Sequence, residues 1–209
     1  MIKKVFVLVT LTGSLLFGGY KVEKAGAPPE ELAAPVKAVM SAEGTRLVDD
    51  SGKTVSEIWL RAKVPPGSAT SEQDATLSDI PNRTLVGAIR FVTEGADRRG
   101  QVIQPGVYTL RYALHPIDGA HQGVAFQRDF FLLVPAANDT EPDSAPSWEE
   151  VVAMSKKASG TVHPAVLEAW KDDMPSAGPL EVFEGRDWVL HAKVGNVPVA
   201  LVLIGTAPH

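Results

Sequence analysis

The stretch RYALHPIDGAHQGVAFQRDFFLLVP, Arg111 to Pro135, holds two histidines six residues apart. His115 and His121 flank an Asp118-Gly119 turn, and His163 stands further along the chain. Three neutral imidazoles, or two with the Asp118 carboxylate, suit Zn2+ or Cu2+ in a chain with no thiols. The metal ligands predicted from sequence are therefore His115, His121 and His163. Their spacing matches no helical metal-binding pair. The plainer reading is a polar hairpin tip with no cofactor. His115 follows Leu114, an inward position, and is expected on the solvent face.

Charges also interrupt the apolar strands around this loop. Arg111 facing Asp129 across a hairpin would make an outer-face ion pair worth roughly 0.2–1 kcal/mol. Arg128 shares the parity of Phe126, Phe130 and Leu132, so it needs a carboxylate partner or a bulge. Trp59, Trp148, Trp170 and Trp188 offer flat faces on which a sugar could pack, or else they fill the space beneath a helical insertion.

Other catalytic signatures are missing. DSGKT, Asp50 to Thr54, ends like a phosphate-binding loop, but Leu47 stands where the first glycine is required. No Gly-x-Ser-x-Gly elbow or Ser-x-x-Lys spacing occurs. Asp172-Asp173 and Glu149-Glu150 fall on expected helix surfaces, where solvated charge is the default. A hydrolase stays an alternative because triads assemble from distant loops. The reading favoured is a non-catalytic binding or structural module; a metal-binding protein and a carbohydrate-binding module are the alternatives.

The first residues indicate the compartment. MIKK is basic, Val5 to Phe17 is apolar, and small residues follow up to Ala27. That order marks residues 1–27 as a secretory signal or an N-terminal anchor. The apolar run is short for a bilayer span, which needs roughly 20 residues. Without cysteine there is neither a lipoprotein cut site nor a disulfide framework. A periplasmic or extracellular bacterial location follows, with membrane contact only through an uncleaved N-terminus. The sequons at Asn82 and Asn138 carry no weight in that setting. The formal charge is -5. Removing residues 1–27 takes away Lys3, Lys4, Lys21 and Lys24 but only Glu23, so the remainder is more acidic. Nucleic acid is therefore not an expected partner. An envelope protein or a glycan fits better, and the chain is expected to be a monomer.

The elements that must position these residues are mostly short strands. Residues 28–35 read as a linker and 36–209 as one domain. PVKAVMS and TRLVDD are weak strand candidates. EIWLRAKVP alternates Ile58, Leu60 and Ala62 against Trp59, Arg61 and Lys63. TLVGAIRFVT puts Leu85, Ile89 and Phe91 on one face. GVYTLRYALH sets Tyr108, Leu110, Tyr112 and Leu114 against Thr109 and Arg111. A two-helix insertion is predicted at about 147–174. Its first helix has Ser147 and Glu150 at capping-box spacing, and its second runs through HPAVLEAWKDD. DWVLHAKV-GN-VPVALVLIG then closes the chain as a hairpin turning at Gly195-Asn196. The fold class expected is mainly β, an antiparallel β-sandwich of immunoglobulin-like or jelly-roll-like type.

At PGVYTLRYALHPIDGAHQGVAFQRDFFLLVPA, and again at SKKASGTVHPAVL, the chain resembles an uncharacterised family of secreted bacterial β-rich proteins. The resemblance covers Gly100 to about Leu167. It implies export and a β-rich fold, and no chemistry, since no activity is assigned to that family.

Overall fold

The computed structural model describes residues 19–117, 127–174 and 176–206. In chain order, the first half comprises β1 (Tyr20–Gly26), α1 (Ala34–Val39), β2 (Gly44–Asp49), β3 (Thr54–Leu60), β4 (Leu85–Phe91), β5 (Gly95–Ala96), β6 (Val102–Ile103) and β7 (Gly106–Leu114). There follow β8 (Asp129–Pro135), a 3-10 turn (Ala136–Asn138), α2 (Trp148–Ser159), β9 (Val166–Lys171), β10 (Leu180–Phe183), β11 (Asp187–Val194) and β12 (Val197–Ile204). The protein is mainly β and antiparallel, as its sequence pattern predicts.

The expected two packed sheets are replaced by one continuous ladder. Ten strands pair in the order β1-β2-β3-β4-β7-β8-β9-β12-β11-β10, while β5 and β6 form a separate ribbon. The sheet curls almost into a barrel, and the Tyr20 and Trp188 rings meet edge to face at its seam, 5.3 Å apart. Closure hides most edge groups that a flat sheet would expose.

Period-two patterning sets the inside. Ile58, Tyr108, Leu110, Tyr112, Phe131, Leu133, Leu167 and Leu201 all belong to the central apolar cluster. The outward residues of several strands are also buried, because the helices cover them. Trp59, Leu85 and Ala88 pack under α1 with Val36. Ala113, Phe130, Leu132, Val134 and Val166 pack under α2 with Val151. A strand covered on both faces loses its clean alternation. Leu85 therefore departs from its expected partnership with Ile89 and Phe91: a register shift between Leu85 and Gly87 turns it to the α1 side.

Two helical expectations are exchanged. HPAVLEAWKDD is strand β9, not a second helix, so the insertion after Ser147 is α2 alone. Val166–Lys171 slots between β8 and β12, with Phe131 facing Leu167 and Leu201 facing Ala169. Helix-favouring Leu, Glu and Ala yield to pairing on both edges. Conversely, PVKAVMS folds as α1, opened by Pro35 in its first turn. Residues 28–35 are no free tether, since Leu32 is buried beside α1. Tyr20–Gly26, inside the segment expected to be signal, pairs along β2 as edge strand β1. Helix α2 carries the predicted reciprocal cap between Ser147 and Glu150.

Gly44 marks the tightest approach over Trp59. A Cβ there would sit 2.7 Å from the Ile58 carbonyl oxygen and press on the indole. The indole is held by its own bond, Nε1 donating to the Gly26 carbonyl at 2.8 Å. Gly44→Ala is expected to cost about 1–3 kcal/mol, since neither neighbour can yield. Chemical denaturation checks this; a midpoint unchanged from wild type would mean the gap is wider than described.

Candidate functional site

The outer face where β7, β8 and β9 run side by side brings His115 and Glu168 together. Antiparallel register places Phe130 opposite both Ala113 and Glu168. His115 lies just past the end of β7, and its ring stacks on Phe130 at 4.2 Å. Its Nε2 faces Glu168 Oε1 at 4.0 Å. Both side chains are buried, contrary to the solvent-facing position expected for His115. The backbone reason is a closing rung: His115 N–H donates to the Arg128 carbonyl at 2.8 Å, and Arg128 Nε donates back to the His115 carbonyl at 2.9 Å.

Glu168 is the unusual member. Only 5% of its side chain is exposed, and Oε2 has no hydrogen-bond partner. Burial pushes its carboxyl up to about 7, against the opposing pull of Arg98 and Arg99. Those arginines are already engaged. Arg98 Nε donates to Asp187 at 2.8 Å, and Arg99 clasps Asp97 at 2.5 Å. Asp97 in turn caps the β5–β6 turn by accepting from the Arg99 and Gln101 amides. Among the described residues these four charges pair with one another.

The predicted histidine set divides. His121 and Asp118 lie outside the described residues. His163 is exposed in the turn between α2 and β9, and its carbonyl, not its ring, receives the Ser159 and Thr161 hydroxyls. Among the described residues no group of three or more His, Asp or Glu side chains is arranged so that it could hold a metal ion. Glu168 was missed at sequence level because a strand was read as a helix.

The arginine expectation is corrected. Arg111 faces Leu132 across the hairpin, and Asp129 faces Leu114. Arg111 is fully buried and grips Asp139, with Nε at 2.8 Å and Nη2 at 2.7 Å. Its remaining donors reach the carbonyls of Arg83, Glu141 and Ser144. This is a structural clamp: the guanidinium fastens the 136–146 loop to the sheet and has no donor left for a ligand. Asp129 points inward, accepting from the Thr76 and Leu77 amides and the Tyr112 hydroxyl at 2.8–2.9 Å. Burial, then the Asp129 charge, pushes the Tyr112 phenol up. Arg128 finds its carboxylate in Glu72 at 3.1 Å.

The tryptophans do not form a common platform. Trp59 is buried, and Trp148 packs beside α2's cluster. Trp188 meets Tyr20, and Trp170 tilts against Phe183 at 5.5 Å. Sequence reading also passed over His191. Its Nδ1 faces Asp172 Oδ2 at 2.8 Å, and Nε2 lies 3.1 Å from Glu181 at ion-pair range but off hydrogen-bond alignment. This triplet ties the chain just past β9 to β10 and β11. No family model, curated protein or solved structure matches the chain, so its chemistry rests on its own residues alone.

Proposed function

We propose that this is an exported, non-catalytic binding or structural module of the bacterial cell envelope. One observation carries the reading: most of the buried groups that could do chemistry, Glu168 apart, are engaged in holding the fold. Arg111, Asp129, Asp139, Asp187 and Ser155 each spend their hydrogen bonds internally. The inside of the sheet is filled by side chains such as Leu110, Tyr112, Phe131 and Leu201. A ligand or partner therefore meets the outside of the nearly closed sheet. A panel of ester, peptide and glycoside substrates is expected to show background turnover only. Hydrolysis that disappears on His191→Ala would overturn the non-catalytic reading.

Export rests on the basic start and apolar run of residues 1–18. Since β1 pairs with β2 from Tyr20 to Gly26, we expect processing, where it occurs, to spare Tyr20 and everything after it. The intact mass of protein recovered from the periplasm or medium of a bacterial host checks this. A chain beginning at Pro28 would lack β1 and would refute the expectation.

A further inference from the structure

The start of β1 makes a contact that strand pairing does not require. Tyr20 stands opposite Asp49 in the β1–β2 register, so Gly19 falls beside Asp50, the residue after β2. The Gly19 amide donates to the Asp50 carboxylate. A Cβ at Gly19 would lie 2.6 Å from Asp50 Oδ1, so a larger residue there would push the carboxylate off the amide.

We infer that the signal is cut between Gly18 and Gly19 and that Asp50 holds the α-ammonium so formed. The inference rests on the export reading above and gives it a site. A signal needs a small residue before the cut. Between Phe17, where the apolar run ends, and Pro28, the small residues are Gly18, Gly19, Ala25, Gly26 and Ala27. A cut after any of the last three removes Tyr20 and Val22, which pack against the core. A cut after Gly26 or Ala27 also removes the carbonyl that receives the Trp59 indole at 2.8 Å. A cut after Gly19 discards the Asp50 contact and places the bulky Phe17 where an A-x-A-like site wants a small side chain. A cut after Gly18 puts the aliphatic Leu16 there instead and keeps every contact of β1.

Hydrolysis adds water across the Gly18–Gly19 peptide bond. Gly18 leaves with the new carboxylate, and Gly19 keeps the amine, which takes up a proton. A neutral amide donor thereby becomes a charged one with three N–H groups, and its bond to Asp50 becomes an ion pair. The carboxylate favours the protonated amine and raises it above the ordinary α-amino value of about 8.

The experiment expresses the untagged full-length chain in a bacterial host, fractionates the cells and reads the N-terminus by sequencing and intact mass. The exported protein is expected to begin at Gly19, and Gly18→Leu to arrest the cut. Mature wild type and Asp50→Asn are then exposed to a limiting amine-reactive reagent near neutral pH, and the N-terminal peptide is quantified by mass. Gly19 of wild type should react at least about threefold more slowly, because less of it is the reactive neutral amine. The difference should shrink at about 1 M salt, which screens an exposed pair. Thermal unfolding confirms that Asp50→Asn is folded. A chain retained in the cytoplasm overturns the export reading and this inference with it. An exported chain that begins elsewhere, or keeps residues 1–18, overturns the cut alone. A Gly19 start with equal labelling in both proteins overturns the role of Asp50.

Discussion

Asp139→Ala is expected to destabilise the protein by about 3–5 kcal/mol, the range for breaking a buried ion pair from one side. The carboxylate takes two bonds from Arg111 and one from the Thr109 hydroxyl, the last at 2.5 Å. Its removal leaves a fully buried guanidinium with its charge uncompensated and a threonine hydroxyl with only its long bond to the Val134 carbonyl at 3.4 Å. Arg111 could not escape to water, because it stands between β4 and β8 under the 136–146 loop. The double variant Arg111→Met/Asp139→Leu separates charge from packing. It removes both ions together and should be less destabilised than Asp139→Ala, although the carbonyls of Arg83, Glu141 and Ser144 lose their donor. Guanidinium unfolding monitored by tryptophan fluorescence measures all three. An Asp139→Ala midpoint within about 1 kcal/mol of wild type would show that the clamp is solvated.

The second large effect is a dependence on pH that Glu168 imposes. In the folded chain its carboxyl keeps its proton up to about 7; released into the unfolded chain it behaves as an ordinary carboxyl near 4.5. Between those values the folded state binds the extra proton. Its contribution is therefore complete below about 4.5 and is lost as pH rises through about 7. The difference amounts to about 3 kcal/mol as an upper figure. Glu168→Gln carries no charge to bury. In metal-free buffer it should be more stable than wild type at pH 8 by about 2–3 kcal/mol and no more stable at pH 5. Parallel stability curves for the two proteins between those pH values would refute the burial of a charge at this position.

Most of the strands could be read from alternation, and the reasons for the exceptions are local. The hairpin turning at Gly195-Asn196 was legible because an outward polar residue, Lys193, stands beside the turn and Gly195 supplies the positive φ. Strand β9 was not, because Val166, Leu167, Glu168 and Ala169 are all buried and carry no period-two contrast. Helix α1 is six residues long, too short to show a helical period, and carries at its second position a proline that equally marks a strand boundary. The candidate site suffered from the same error. His115 was visible as a histidine near a turn, but its neighbour Glu168 lies 53 positions away on the misread strand. Arg111 was visible as a charge in an apolar run; its partner Asp139 came from a loop, and nothing local distinguishes it from Asp143 or Asp129.

The Tyr20–Trp188 contact at the seam fixes where the chain leaves the sheet. Trp188 also stands opposite Ile204 on β12, so the first and last described strands begin and end at the same rim. The Gly195-Asn196 turn lies at the opposite rim, a full strand length away. If residues 1–18 hold the protein to a membrane, the C-terminus is held down with them and that turn becomes the distal tip. A reporter or affinity handle fused at the C-terminus would then crowd the lipid, whereas one inserted at Gly195-Asn196 would stand clear of it.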